Sequence, residues 1–236
     1  MNEEFMLKYF YTALLTLCLS LPLSAQAESF EQLQAQAEQG DADAQYNLGV
    51  LYANGQGVKQ DSHQAAQWYQ KAANQENSDA QYNLALLYAN GRGVKQDYQQ
   101  AMQWYQKAAE QGNFRAQYNL GWIYENGKGV QQDYRQASQW YQKAANNGHT
   151  DAQFNLALLY ANGQGVKQDY HQAAQWYQKA ANNGDAGAQN NLGVMYTEGT
   201  GVKQNVQLAK SWFGKACDNG DQLGCDNYRK LNKQGD

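Results

Sequence analysis

The sequence predicts an all-α protein, an α/α solenoid in which helix-turn-helix repeats stack into a right-handed superhelix. The segment LYANGQGVKQD at Leu51 returns four times in similar form, at intervals of 36 residues. Apolar residues fall at helical spacing in every copy, and Pro22 is the only proline of the chain. A period of this length is typical of stacked hairpins, because a hairpin cannot bury the apolar stripes of both its helices alone.

The first predicted element is an export signal at 1–27. Lys8 precedes an apolar run that is short for a membrane span, and Ala25-Gln26-Ala27 supplies a cleavage pattern of small residues. We expect translation to begin at Met1 or Met6 and cleavage to follow Ala27. The mature chain is then periplasmic or secreted, with no integral membrane segment.

A capping helix is predicted at 28–43, where SFEQLQAQAEQG has the pattern of the second helix of a missing repeat. Five repeats of 36 residues follow, and 224–236 is predicted to cap the other end by beginning a first helix without finishing it. Aligned on Ala44, the repeats run 44–79, 80–115, 116–151, 152–187 and 188–223.

The first helix of each repeat carries an apolar stripe, as Ala44, Leu48 and Leu51 do in the first copy. A small residue stands at Gly49 and its equivalents. Because glycine is costly inside a helix, its presence predicts close approach of the partner helix. Asn54-Gly55 predicts a left-handed C-cap.

The second helix begins at an aspartate and buries an aromatic stripe. Asp61 is a predicted N-cap, and Gln64 three residues on would complete a capping box. Trp68 and Tyr69 lie on the predicted buried stripe, and their equivalents are expected to be packing residues. Other repeats close this helix with glycine, whereas the first repeat has Glu76, which predicts a strained or rearranged turn.

The loop between the two helices resembles a phosphate-binding loop, with Gly91, Gly93 and Lys95 in the second repeat. A dinucleotide fingerprint would need a third glycine where Gln96 stands, and a nucleotide site is made once per domain. This loop occurs five times, so we interpret it as a turn that shapes the repeat.

Composition excludes several classes of function. A formal net charge of −4 and a sequence pI near 5.4 indicate no attraction to nucleic acid or to an anionic membrane. The chain has only three histidines, at His63, His149 and His171, without the cysteine or histidine spacing of a metal site. We expect no metal, no cofactor and no Ser/Cys–His catalysis.

Two cysteines, Cys217 and Cys225, remain after the predicted cleavage. Export, the even count and their placement favour a disulfide over two buried thiols.

The motif A-x-x-x-L-G-x-x-Y-x-x-G-x-G-V-x-x-D-x-x-x-A-x-x-W-Y-x-K-A-A, from Ala44 to about Leu223, resembles the Sel1-like repeat, a relative of the tetratricopeptide repeat. The resemblance implies an adaptor or scaffold with a concave groove. The Cys217-x7-Cys225 spacing is similar to that of the Helicobacter cysteine-rich proteins, which implies a bridge between consecutive helices. That subgroup has been linked to β-lactam binding and hydrolysis, but the S-x-x-K, S-D-N and K-T-G motifs of such enzymes are absent here.

Candidate binding residues lie on the first helices, which would line the groove. An asparagine recurs in each beside the apolar stripe, suited either to binding a peptide backbone or to bonding the backbone of a neighbouring repeat. Trp122 and Glu125 depart from the repeat, and Trp122 is either an anchor for a partner or a filler between repeats. The asparagines are Asn47, Asn83, Asn119, Asn155 and Asn191.

The sequence therefore predicts an exported, non-enzymatic scaffold that binds an unidentified peptide or protein. A structural or peptidoglycan-associated role in the cell envelope is the alternative, and weak β-lactam binding or hydrolysis is the remaining one.

Overall fold

The structure is a computed structural model that describes residues 23–234, with side chains from 29 to 233. That part of the chain forms twelve helices and no strand. Most of the predicted export signal, residues 1–22, lies outside the described residues. The helices are α1 (Leu23–Glu38), α2 (Ala42–Asn54), α3 (Ser62–Asn74), α4 (Ser78–Asn90), α5 (Tyr98–Glu110), α6 (Phe114–Asn126), α7 (Tyr134–Asn146), α8 (Thr150–Asn162), α9 (Tyr170–Asn182), α10 (Ala186–Glu198), α11 (Val206–Asp218) and α12 (Gln222–Gln234).

The chain divides into two compact units, Met1–Gln96 and Asp97–Asp236. Unit 1 contains α1 to α4, and unit 2 contains α5 to α12. Within each unit every helix packs against the next one along the chain. The predicted all-α solenoid class is confirmed, because helical hairpins of one design follow each other throughout the described residues.

The predicted C-cap and N-cap of the first repeat are both formed, but the predicted capping box is not. Gly55 ends α2 in the left-handed conformation, with φ 70°. Asp61 caps α3, and its carboxylate accepts from the N–H groups of His63 and Gln64 at 2.9 and 3.0 Å. The reciprocal half of the capping box is not formed, because the Asp61 N–H donates to the Tyr52 carbonyl at 2.9 Å.

The strained turn predicted at Glu76 is confirmed. Glu76 has φ 65° and is the one non-glycine residue with positive φ within residues 23–234. A side chain there costs energy that glycine avoids in the equivalent turns, since Cβ crowds the following carbonyl oxygen in this conformation.

The core forms where a large ring of the second helix lies on a small residue of the first. A Cβ added to Gly49 would lie 2.6 Å from Cδ1 of Tyr69, which confirms the predicted close approach. The five repeated tryptophans are 6 to 8% exposed, which confirms them as packing residues. A lysine three residues later lies over each of these indole rings, as Lys143 does at 3.8 Å from the Trp140 ring centroid.

A buried glutamine in each first helix ties hairpins together, a role that the sequence analysis missed. In unit 2, Gln153 donates from Nε2 to the Ala145 carbonyl of the preceding hairpin at 3.1 Å. Its Oε1 accepts from Asn183 of its own hairpin at 3.1 Å. Buried amides need such partners. The same Nε2 bond to the preceding helix recurs at Gln45, Gln81, Gln117 and Gln189.

The ends of the described chain differ from the predicted caps. Helix α1 begins at Leu23, so the predicted boundary after Ala27 lies inside a helix. Helix α12 has 13 residues, the same length as each of α2 to α11, so the expectation of an unfinished helix is wrong. Asp221 caps its start by accepting from the Gly224 N–H at 2.6 Å, and a disulfide joins it to α11.

Candidate functional site

One face of α6 carries three side chains that the other repeats lack, Phe114, Trp122 and Glu125, together with Tyr118 of the repeat consensus. Phe114, Tyr118, Trp122 and Glu125 follow the spacing i, i+4, i+8, i+11, which places them along one side of a helix. His149, the N-cap residue of α8, lies beside them. We call these five residues the α6 face. Phe114 is 40% and Trp122 is 37% exposed, so both present apolar area to solvent on the same helix.

Ring contacts order the N-terminal half of the α6 face. The His149 ring stacks on Tyr118 with centroids 4.4 Å apart and planes 12° from parallel. Phe114 meets the same imidazole edge-on at 5.9 Å, and the Arg115 guanidinium lies 5.8 Å from the Phe114 centroid. Such contacts hold rings in fixed orientations, so this part of the surface is preorganised.

A polar cluster supports the C-terminal half. The Tyr141 hydroxyl, on α7, donates to Oε2 of Glu125 at 2.5 Å. Asn155, on α8, hydrogen-bonds the hydroxyls of both Tyr118 and Tyr141. Burial raises the pKa of Tyr141 and the hydrogen bond to Glu125 raises it further, whereas the Asn155 bond lowers it. The phenol therefore stays protonated and keeps donating to the carboxylate.

His149 replaces the asparagine or aspartate that caps the other first helices. Its Nδ1 accepts from the Ala152 N–H at 3.4 Å, a role that only a neutral imidazole fills. Burial lowers the pKa of His149; the Asp151 carboxylate opposes that shift and the Arg115 charge adds to it. The ring is therefore neutral at physiological pH.

The predicted asparagines are divided between packing and surface. Asn155 bonds two tyrosines of the preceding hairpin, and Asn191 bonds the Tyr177 hydroxyl in the same way. These two tie neighbouring hairpins together through side chains, not through the backbone bond considered as the alternative. Asn47 is exposed, whereas Asn83 and Asn119 are half-buried.

Of the predicted site residues, Glu125 and Asn155 both bond the Tyr141 hydroxyl, and Trp122 lies three residues before Glu125 on α6. Sequence reasoning missed Phe114, Tyr118 and His149 as members of the same surface. The signal that could have found Phe114 and His149 is their departure from the repeat: position 114 is alanine, serine or threonine elsewhere, and position 149 is asparagine or aspartate.

The other candidates serve the architecture. Cys217 and Cys225 form a disulfide between α11 and α12, with Cα atoms 4.5 Å apart, which confirms the predicted pairing. His63 and His171 lie on exposed second-helix starts, where Nδ1 is 3.1 and 3.3 Å from the carbonyls of Gly93 and Gly201. Each imidazole thus joins one hairpin to the next hairpin's loop.

Surface pockets occur beside those same histidines. One in unit 2 has a volume of about 750 Å³ and is lined in part by His171, Lys203 and Leu208. One in unit 1 has about 350 Å³ and includes His63 and Val94. Both lie where a loop meets the preceding second helix, so they arise from the repeat itself, and neither touches the α6 face.

Within residues 23–234, no cluster of three or more His, Cys, Asp or Glu side chains has the arrangement to hold a metal ion. In the same range, no helix combines the length and apolar character that crossing a membrane requires.

Comparison with known proteins identifies the repeat. A solved protein from uropathogenic Escherichia coli, c5321, described as a protective antigen displaying an SLR fold, is 35% identical over 89% of this chain with a TM-score of 0.82. This chain spans half the length of c5321. A Sel1 repeat protein from Oxalobacter formigenes is 35% identical, with 84% of each chain covered and a TM-score of 0.75.

Helicobacter pylori cysteine rich protein B is 30% identical over 56% of this chain and 96% of its own, with a TM-score of 0.45. No curated protein matches the chain. The Sel1 repeat model matches at 42–77, 78–113, 114–149, 150–185 and 186–221. These five matches begin where the first helices begin and cover most of the sequence, and the chain belongs to the Sel1 repeat family.

Proposed function

We propose that this chain is an exported scaffold that binds a peptide or protein segment on the α6 face. Sel1 repeat proteins are generally non-catalytic scaffolds for protein interactions.

The observation that carries the proposal is the concentration of repeat-breaking residues on one helix face. A residue that recurs in all five copies is explained by the stacking of hairpins, whereas a residue that occurs in one copy is not required for that stacking. Trp122 stands where the other repeats have valine or leucine, and Glu125 where they have alanine or threonine. Phe114 and His149 are equally unique to this copy.

The physical character of the face fits a protein partner. Tryptophan, tyrosine and arginine are enriched in interface hot spots, and the two aromatic side chains bury a large apolar area while losing few rotamers. Trp122 and Phe114 expose apolar area that folding left uncovered. The stacked Tyr118–His149 pair between them fixes the surface before a partner arrives.

The asparagine row has a smaller part in this proposal than the sequence predicted. Asn155 and Asn191 already use hydrogen-bonding capacity on tyrosines of the preceding hairpin. Asn155 contributes by holding the hydroxyls of Tyr118 and Tyr141, and the aromatic rings make the contact with the partner.

Photocrosslinking in the native envelope tests the docking surface. A photoreactive phenylalanine derivative, which keeps an aromatic ring on the α6 face, replaces Trp122 in one variant and the exposed Gln139 of α7 in the control. We expect one dominant partner from position 122 alone, and we expect that purified partner to bind the parent protein and to lose affinity for Trp122→Ala. Equal capture from both positions, or equal affinity for both proteins, would refute the docking surface.

Fractionation and N-terminal sequencing test export. We expect the protein outside the cytoplasm with Glu28 as its first residue, and we expect Ala27→Leu to retain the leader because a small residue is required before the cleavage point. Recovery of the uncleaved chain from the cytoplasm would refute this part of the proposal and leave the docking surface intact.

A further inference from the structure

We propose that Trp122 and Glu125 form a subsite for a cationic side chain, a lysine or arginine of the bound partner. The inference rests on the proposed function and names the chemistry of its central contact. Both residues are unique to the third repeat, so the chain contains this subsite once.

The chain's own tryptophans supply the first argument. Five of the six carry a lysine three residues later, and that ammonium lies 3.6 to 4.3 Å from the ring centroid. At Trp122 the residue three positions later is Glu125. The described residues place no lysine or arginine over this indole. The indole ring of Trp122 is therefore available to a cation of a bound partner.

The carboxylate supplies the second argument. Glu125 is half-buried, and its Oε2 accepts from Tyr141. Among the described side chains, no lysine or arginine forms an ion pair with it. Arg115 lies ten residues earlier on α6, about 15 Å along the axis. A charge that is partly shielded from water attracts a counter-ion more strongly than an exposed one.

The two groups act on one ligand because of their spacing. Residues three apart on a helix are neighbours, with Cβ atoms about 5–6 Å apart. A cation beside Trp122 would gain both the ring quadrupole and the charge of Glu125. An acidic side chain would be repelled by that carboxylate, and an aliphatic one would gain the ring alone. The pair thus selects for positive charge.

Selection from a random peptide library on the purified mature protein tests the subsite. Glu125→Gln is the informative variant, because it removes the charge and keeps an oxygen to accept from Tyr141. Glu110→Gln is the matched control, since it removes an exposed carboxylate at the end of α5 in the same unit. We expect one position of the selected peptides to be lysine or arginine. A chosen peptide should bind Glu125→Gln about tenfold more weakly and Glu110→Gln unchanged.

Replacing that lysine with norleucine in the peptide should weaken binding to the parent by more than about tenfold, because both the charge pair and the contact with the Trp122 ring are lost. The same replacement should weaken binding to Glu125→Gln by a smaller factor, since that variant has already lost the charge pair. Equal affinity of parent and Glu125→Gln, or selection of acidic or purely apolar peptides, would overturn the subsite. If such peptides still lose affinity for Trp122→Ala, the docking surface stands and only the cationic subsite fails.

Equal peptide affinity for the parent and for Trp122→Ala would overturn both the docking surface and the cationic subsite. Sedimentation with purified sacculi tests whether peptidoglycan, instead of a peptide, occupies the α6 face. Cosedimentation that needs Trp122, with no peptide selected, would identify a peptidoglycan polymer as the occupant and refute the inference.

Discussion

Alanine substitution of two loop glycines separates backbone strain from hairpin stacking. Gly57 and Gly165 occupy the same place in identical segments, LYANGQGVKQD at 51–61 and 159–169. Their φ angles are 74° and 69°, so alanine meets the same left-handed strain at both. Only their surroundings differ: a Cβ on Gly57 has open space within 4 Å, whereas one on Gly165 would overlap the Tyr134 carbonyl and lie 2.5 Å from the Arg135 nitrogen.

The expected magnitudes follow from these surroundings. The left-handed conformation costs alanine about 1 kcal/mol, and this term is common to both variants. Overpacking adds about 2 kcal/mol at Gly165, because the obstacle is backbone of the preceding hairpin and no rotamer change relieves it. We expect Gly57→Ala to lower the free energy of unfolding by about 1 kcal/mol and Gly165→Ala by about 3 kcal/mol.

Equilibrium urea unfolding followed by far-ultraviolet circular dichroism measures the difference. With a slope of about 2 kcal/mol per molar urea, the midpoint of Gly165→Ala should lie about 1 M below that of Gly57→Ala. Equal midpoints for the two variants would mean that the loop does not seat on the preceding second helix, and the account of hairpin stacking would be wrong.

Three further predictions concern titration and the disulfide. Because burial lowers the folded pKa of His149 below 6.5, its contribution to stability is present above that pH and lost on acidification. The melting temperature should therefore fall between about pH 7 and about pH 5, and less so in His149→Asn, which restores the cap of other repeats. Burial raises the pKa of Tyr177 to about 12, so stability should decline from about pH 10 to about pH 12, with a shallower slope in Tyr177→Phe. Converting Cys217 and Cys225 to serine should lower the free energy of unfolding by about 2.5 kcal/mol. Relative to the parent protein, hydrogen exchange should speed up more in α12 than in α10. Unchanged exchange would show that packing alone holds α12.

The candidate site was only partly predictable from the sequence. Trp122 and Glu125 stood out because they break a repeated pattern, and the structure places them on one helix face. The hydrogen bond to Glu125 was not predictable, since its donor Tyr141 comes from another helix and occupies a position that looks like ordinary repeat consensus. The buried glutamines were missed for a related reason. A polar residue is assigned to the surface when the sequence does not show which groups it can hydrogen-bond in the interior.

The sequence by itself determined the all-α class, the hairpin repeat, the left-handed C-caps and the strained turn at Glu76. These depend on the spacing of apolar residues and on local backbone preferences, which neighbouring residues carry within one hairpin. Only the tertiary structure decided which side chains meet between hairpins: that Asn155 supports two tyrosines, that His149 stacks on Tyr118, and that a full helix α12 ends the described chain. Such contacts depend on the rotation and distance between packed helices, quantities that small differences in side-chain volume set and that no local pattern records.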